Sequence, residues 1–318
     1  SARAPVETGG KTGERANGPT VSMTMRLNHK TAGWVYAWLL LLPASVLMVT
    51  FTHYPIVGGI FASFFSTAKQ GRASRFVGLD NYSYMVEDPV FWQVLGNNFI
   101  YALGTIPVSV CLALLMAVWV NGRLPGRGIV RAAYFTPTIL PMIAVANIWL
   151  FFYTPQIGIL DSLCGLVGIP SHSWLGDPAT ALGCLMVLAI WKDAGFFMIF
   201  FLAALQGISP ELEEAAVIEG AGRWYFFRRV TLPLLMPTTL FVLVNSTINS
   251  FKLVDHIFIL TKGGPDNASS LLLYYIYEVA FGFWDTAYAS TLTVVLLLIL
   301  GGLAVTQFTY IEKRVHYQ

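Results

Sequence analysis

Asn245, Asn249, Lys252 and Asp255 form the densest polar set in any apolar stretch of this sequence, and His256 follows directly. On a helix the first three fall at i, i+4 and i+7, on one face, and Asp255 lies three residues beyond Lys252, within its reach. A charged side chain at mid-membrane costs about 2.5–3.5 kcal/mol on insertion scales, so such a set needs a purpose. One purpose is a polar stripe along a translocation path, because amides and charges exchange hydrogen bonds with a hydroxyl-rich solute. The other is structural: Lys252 and Asp255 neutralise each other while the amides tie helices together. Lys192 and Asp193, after Trp191, pose the same question in another apolar run. Sequence neighbours do not face each other on a helix, so each needs its own partner.

None of these groups makes a catalytic constellation. The five histidines are scattered, no His-Glu-x-x-His occurs, and no serine sits in a nucleophile elbow. Cys111, Cys164 and Cys184 are odd in number and lack metal-ligand spacing. Gly10-Lys11-Thr12 imitates the end of a phosphate-binding loop, but Pro5 stands where its first glycine belongs. The chain therefore offers no nucleotide or cofactor site of its own.

The elements that position the polar groups follow from composition. Hydrophobic residues make up 56% and charged residues 11%, against about 45–50% and about 25% in soluble domains. Six runs approach or exceed the ~20 residues that span hydrocarbon: 33–53, 98–120, 132–152, 179–203, 236–260 and 286–310. The expectation is an all-α polytopic membrane protein, with a polar disordered tail over 1–32 and a membrane domain over 33–318. Pro137 and Pro141 imply a kink in the third span. Gly301-Gly302 would let another helix approach the sixth. Lysine and arginine number thirteen on the side of both termini and four on the other, which puts both termini in the cytoplasm. On the outer side, 153–178 reads as a compact loop. The aromatic run through Tyr274, Tyr275, Tyr277, Phe281 and Trp284 suits a helix at the membrane–water boundary.

Between the fourth and fifth spans the loop 205–233 is short, charged and patterned. Ser209 can cap a helix opened by Pro210, with Glu211, Glu213 and Glu214 in the first turn at the positive end of the dipole. Gly220 can stop that helix in a left-handed conformation. A second short helix carrying Arg228 and Arg229 should then end before Pro233. A helix, a glycine elbow and a helix pinned between two spans make a shape for docking onto a partner.

Glu214-Ala215-Ala216, Gly220 and Leu232-Pro233 at these distances resemble the EAA loop of binding-protein-dependent ABC importer permeases. Glu219 replaces the usual Asp and Val230 the usual Ile, changes that keep charge or shape. Three further stretches are similar to the carbohydrate-uptake branch: Leu202–Ser209, Phe251–Asp255 leading into Thr261-x-Gly263-Gly264-Pro265, and Tyr310-Ile311-Glu312. Phe76–Tyr82 is similar to a stretch common in carbohydrate permeases. The Gly263-Gly264-Pro265 loop is characteristic of the first of two permease subunits, and the C-terminal residues resemble the glycerol-3-phosphate branch.

The resemblance implies a non-catalytic permease in the bacterial inner membrane. Its partners would be a second permease, two ATPase subunits holding ATP and Mg, and an extracytoplasmic binding protein, with no nucleic acid. It implies that Glu214, Ala215, Ala216, Gly220, Leu232 and Pro233 couple to the ATPase, and that Gly263, Gly264 and Pro265 contact the binding protein. The pathway set is Asn245, Asn249, Lys252 and Asp255, with Lys192, for which the resemblance favours a structural or gating role because a Trp-Lys pair ahead of a glycine is common in these permeases. An ion-coupled secondary transporter is the rival; it would rely on Asp193 and Asp255.

Overall fold

Apolar runs of membrane length can satisfy their own backbone only as helices. The computed structural model describes residues 29–68, 73–122 and 125–312, and among them no strand forms beyond an isolated bridge between Phe65 and Phe76. The chain divides into residues 1–55 and residues 56–318. The first unit carries α1 (His29–Met48) and a π turn over Val49–His53. Helix therefore begins inside the expected tail. The rest of that expectation, with Gly10-Lys11-Thr12, lies outside the described residues.

The second unit is built around two long helices, α4 (Pro89–Asn121) and α8 (Ala181–Gln206). At ~1.5 Å per residue α4 is roughly 50 Å long. Ser109, Ala113 and Ala117 repeat every fourth residue along it and are all buried, which lets α8 approach closely. Their shared core takes Phe197, Met198, Phe201, Leu202 and Leu205 from α8, with Leu235 and Val242 from the following segment. The expected span over 98–120 starts too late. Asp88 caps α4 nine residues earlier, its carboxylate accepting the Val90 amide at 2.9 Å.

Among the described residues, four helices are long and apolar enough to cross a membrane: Tyr36–Ala62, Pro89–Asn121, Ala181–Gln206 and Thr286–Thr309. The other two expected spans are broken. Residues 132–152 become α5 (Arg127–Ile139) and α6 (Met142–Phe152), bent by 100°. The break follows Pro137 and falls at Leu140, forced extended because the next residue is Pro141. Residues 236–260 become α12 (Met236–Lys252) and α13 (Asp255–Leu260), parted at the extended Leu253. The segment Arg223–Leu234 meets Met236–Leu260 at 64°. Six spans result if each bent pair counts as one.

The start of the aromatic run is packed into the core, and its end is exposed. In α14 (Leu272–Tyr277) and the π turn Glu278–Gly282, Leu272, Tyr275, Ile276 and Val279 are buried with Phe91 and Val94 of α4 and Leu292 of α15 (Thr286–Glu312). Tyr274 and Tyr275 are buried, whereas Tyr277, Phe281, Phe283 and Trp284 stay exposed. Burial was hidden because tyrosine and phenylalanine suit a packed core and a lipid boundary equally.

The loop 153–178 holds a short helix, α7 (Ile159–Leu166), and is organised by one buried carboxylate. Asp161 accepts from the Ser171 hydroxyl, from the amides of Gln156 (2.7 Å) and His172 (3.2 Å), and from Trp174 Nε1 (3.1 Å). These bonds, that from Ser171 foremost, hold its carboxyl at about 2, below the ordinary 3.8. A lowered folded pKa stabilises the loop above the ordinary carboxylate range, and that contribution fades as pH falls through about 2. Asp161→Asn should therefore speed amide exchange across 156–174 at neutral pH. The native loop should loosen only below about pH 4. Equal exchange in both proteins at neutral pH would show that the carboxylate does not hold the loop.

Candidate docking loop and translocation path

The docking segment has the expected shape, with two corrections. α9 (Pro210–Ile218) begins after Ser209, whose hydroxyl accepts the Glu211 amide at 3.4 Å. Glu211 and Glu213 occupy the first turn. Glu214 lies a residue beyond it and faces solvent with Ala215, so it cannot cap the free amides and is left for a partner. Gly220 takes φ +73°, its amide bonds the Val217 carbonyl (3.1 Å), and the Ala221 amide bonds that of Ala216 (2.8 Å). This is a Schellman ending, which needs a residue without a Cβ penalty. Val217 and Ile218 are 69% and 86% exposed and Trp224 71%, an unusual apolar display at a helix end.

The second helix does not end before Pro233. It runs through α10 (Arg223–Phe226), a π turn over Phe227–Thr231 and α11 (Leu232–Leu234). The Leu232 amide reaches back to the Phe227 carbonyl and the Leu235 amide to Thr231. The wide turn absorbs a residue and carries the chain past a proline that donates nothing. Leu232 is half-buried and Pro233 exposed.

On the membrane stripe, Asn245 and Asn249 are half-buried and Lys252 exposed, all on the unbroken α12. Of the buried side chains of α12, Ser246, Ser250 and Phe251 lie on its other sides, while Val242, seven residues before Asn249, shares the face of the stripe. Asn245 Nδ2 donates to the Phe241 carbonyl at 2.8 Å, leaving its oxygen unclaimed by that bond. The expected Lys252–Asp255 pair does not form. The break at Leu253 turns Asp255 into the first turn of α13, both side chains are exposed, and no ion pair joins them among the described residues. Lys192 sits apart from this stripe: its Nζ donates to the carbonyls of Pro137 (2.8 Å) and Leu140 (2.6 Å), at the broken span. The half-buried Asp193 follows it on α8.

Sequence reading missed a buried polar seam. Asn98, wholly buried, donates to the Ser250 carbonyl (3.3 Å) and accepts the Leu272 amide (3.0 Å), tying α4 to α12 and α14. Tyr101 Oη lies 3.2 Å from His256 Nε2. At the start of α4, Asp88 also accepts the hydroxyls of Tyr275 (2.6 Å) and Tyr288 (2.7 Å). The i, i+3 and i+7 placement of Asn98, Tyr101 and Thr105 was the available signal.

Gly263 is buried and takes φ +78°; a Cβ there would meet Tyr274 at 2.8 Å. It shapes the loop and cannot itself touch a partner, while Gly264 and Pro265 are half-buried and Lys262 and Asp266 exposed. Gln93 Nε2 and Asn97 Nδ2 of α4 fix the loop through the carbonyls of Asp266 (2.7 Å) and Asn267 (2.8 Å).

Broken spans, a polar stripe and a preformed helix displayed between spans define a helical transport protein of the membrane. The chain belongs to the family of binding-protein-dependent transport system inner membrane components, matched over residues 109–317. It is 32% identical over 300 residues to the lactose transport system permease protein LacF of Rhizobium radiobacter, covering 92% of this chain and 100% of that one. It is 32% identical over 284 residues to the sn-glycerol-3-phosphate transport system permease protein UgpA of Agrobacterium fabrum, covering 89% and 97%. Its fold matches a chain in the crystal structure of a bacterial alginate ABC transporter in complex with an alginate pentasaccharide-bound periplasmic protein. There the TM-score is 0.77 at 22% identity, over 87% of this chain and 93% of that one. The protein is a permease subunit of an ABC importer, and the ion-coupled reading has no support.

Proposed function

We propose that this permease subunit moves a sugar or sugar-like solute, of the disaccharide or glycerol-3-phosphate type, inward by alternating access. The observation that carries the reading is the helix displayed at Pro210–Ile218 with Val217 and Ile218 bare to solvent. ATP and Mg act on two separate ATPase subunits, and this chain supplies the mechanical joint through Glu214, Ala215, Ala216 and Gly220. Leu232 and Pro233 carry the movement into α12. A second permease completes the path in the lipid bilayer, both termini face the cytoplasm, and a binding protein delivers solute outside. The loop at Gly264-Pro265 seats that protein by its exposed flank, with Lys262 and Asp266 at the rim. The solute class is supported by the lactose and glycerol-3-phosphate systems named for two relatives and by the stripe of Asn245, Asn249 and Lys252.

Two substitutions separate the joint from the path. Gly220→Val strains a left-handed turn by about 1–2 kcal/mol and tilts the helix that follows. The complex should still assemble, but its ATP hydrolysis should no longer respond to the loaded binding protein. Normal stimulated hydrolysis and uptake in that variant would remove the coupling role. Asn249→Ala should lower uptake while leaving assembly and basal hydrolysis intact. Unchanged uptake kinetics would make the stripe a packing feature.

A further inference from the structure

In an unbroken helix the carbonyl of residue 137 accepts from the amide of residue 141, and that of 140 from 144. Residue 141 is proline, so the Pro137 carbonyl has no α-helical i+4 donor in this chain. Ala144 lies in the first turn of α6, which leaves α5 at 100°, so the Leu140 carbonyl loses its donor at the break. Hydrocarbon supplies no substitute. Lys192 Nζ reaches both oxygens, at 2.8 and 2.6 Å. It reaches them because α5 and α8 touch backbone to backbone one turn further on. A Cβ on Gly195 would lie 2.1 Å from the Tyr134 carbonyl oxygen.

We propose that Lys192 is a positioning residue of the transport cycle: its ammonium stands in for the amide proton that Pro141 lacks and sets the angle at which α6 leaves α5. The bond to Pro137 replaces the i+4 donor that Pro141 lacks whether the span is bent or straight. The bond to Leu140 depends on state, because straightening the span would return that carbonyl to Ala144. What Lys192 thereby places is α6, whose Val145 and Ala146 pack in one core with Ile257 and Leu260 of α13. The side of α6 facing α8 sets Trp149 at 5.6 Å from Trp191, the residue before the lysine. The lysine thus links the third span to the segment carrying Asp255, without touching solute.

The test is a thermal unfolding series on the purified, detergent-solubilised full-length permease in its complex, which needs no assumption about the solute. Lys192→Met should lower the midpoint by about 3 °C or more. Lys192→Arg, which keeps donors, should retain most of it. Pro141→Ala supplies the missing amide, so K192M/P141A should recover the loss, with P141A alone near the native midpoint. If K192M does not accumulate, accumulation of the double variant is the expected result and its failure overturns the proposal. An unshifted midpoint in K192M, with a raised KM for solute uptake, would overturn it in favour of a solute contact. A loss that P141A does not recover would overturn it too.

Discussion

A backbone carbonyl inside hydrocarbon must find a donor in the protein, and the architecture of this permease turns on where helices break and what meets the groups released. Proline at 141 makes the most demanding break, and a lysine from the neighbouring helix meets it. Elsewhere the solutions are local. A π turn carries the chain through Pro233, and the Asn98 side chain accepts the Leu272 amide at the start of α14. Each solution joins two or three helices, so backbone satisfaction and helix placement are the same interaction here. That is why the polar seam lies between α4, α12 and α14, where one buried asparagine serves three elements.

The same constraint divides the molecule into a fixed part and a displayed part. α4 and α8 are buried along their facing sides, with alanine and serine on α4 letting the backbones close in. Against that pair, α9 buries none of its side chains and ends on bare valine and isoleucine. A helix of about nine residues is ~14 Å long and too short to hold itself without neighbours. Its Ser209 cap and Gly220 ending preserve it as a rigid unit until a partner covers it. The stripe on α12 starts one short helical segment further along the chain, and in the proposed coupling the tilt of α9 would pass to Asn245 and Asn249 through Leu232–Met236.

Much of this was legible in the sequence, and the misses share a cause. Apolar runs located the membrane segments, Ser209-Pro210 and Gly220 bounded the docking helix, and Pro137 with Pro141 announced a break. Run length could not show that α4 starts at Pro89, because Gln93, Asn97 and Asn98 interrupt the apolar pattern; the first two bond carbonyls of the loop at Asp266 and Asn267, and the third bonds that of Ser250 in α12. Spacing suggested a Lys252–Asp255 pair, and spacing fails when the helix between them breaks at Leu253. Likewise Gly263 looked like a contact point, whereas the close approach of Tyr274 makes it internal. Sequence records which residue types are available; which two meet depends on helix ends, and those depend on packing several turns away.

The central claim is that Pro210–Ile218 seats against an ATPase subunit and passes its motion inward. It is tested most directly by a single cysteine at Ile218, 86% exposed at that helix end, on a background lacking Cys111, Cys164 and Cys184. In membranes containing the whole transporter, a short bifunctional thiol reagent should join that cysteine to an engineered thiol in the ATPase surface cleft, with a yield that changes when ATP is trapped. A cysteine equally open to a polar maleimide with and without the ATPase, and never crosslinked to it, would contradict the account.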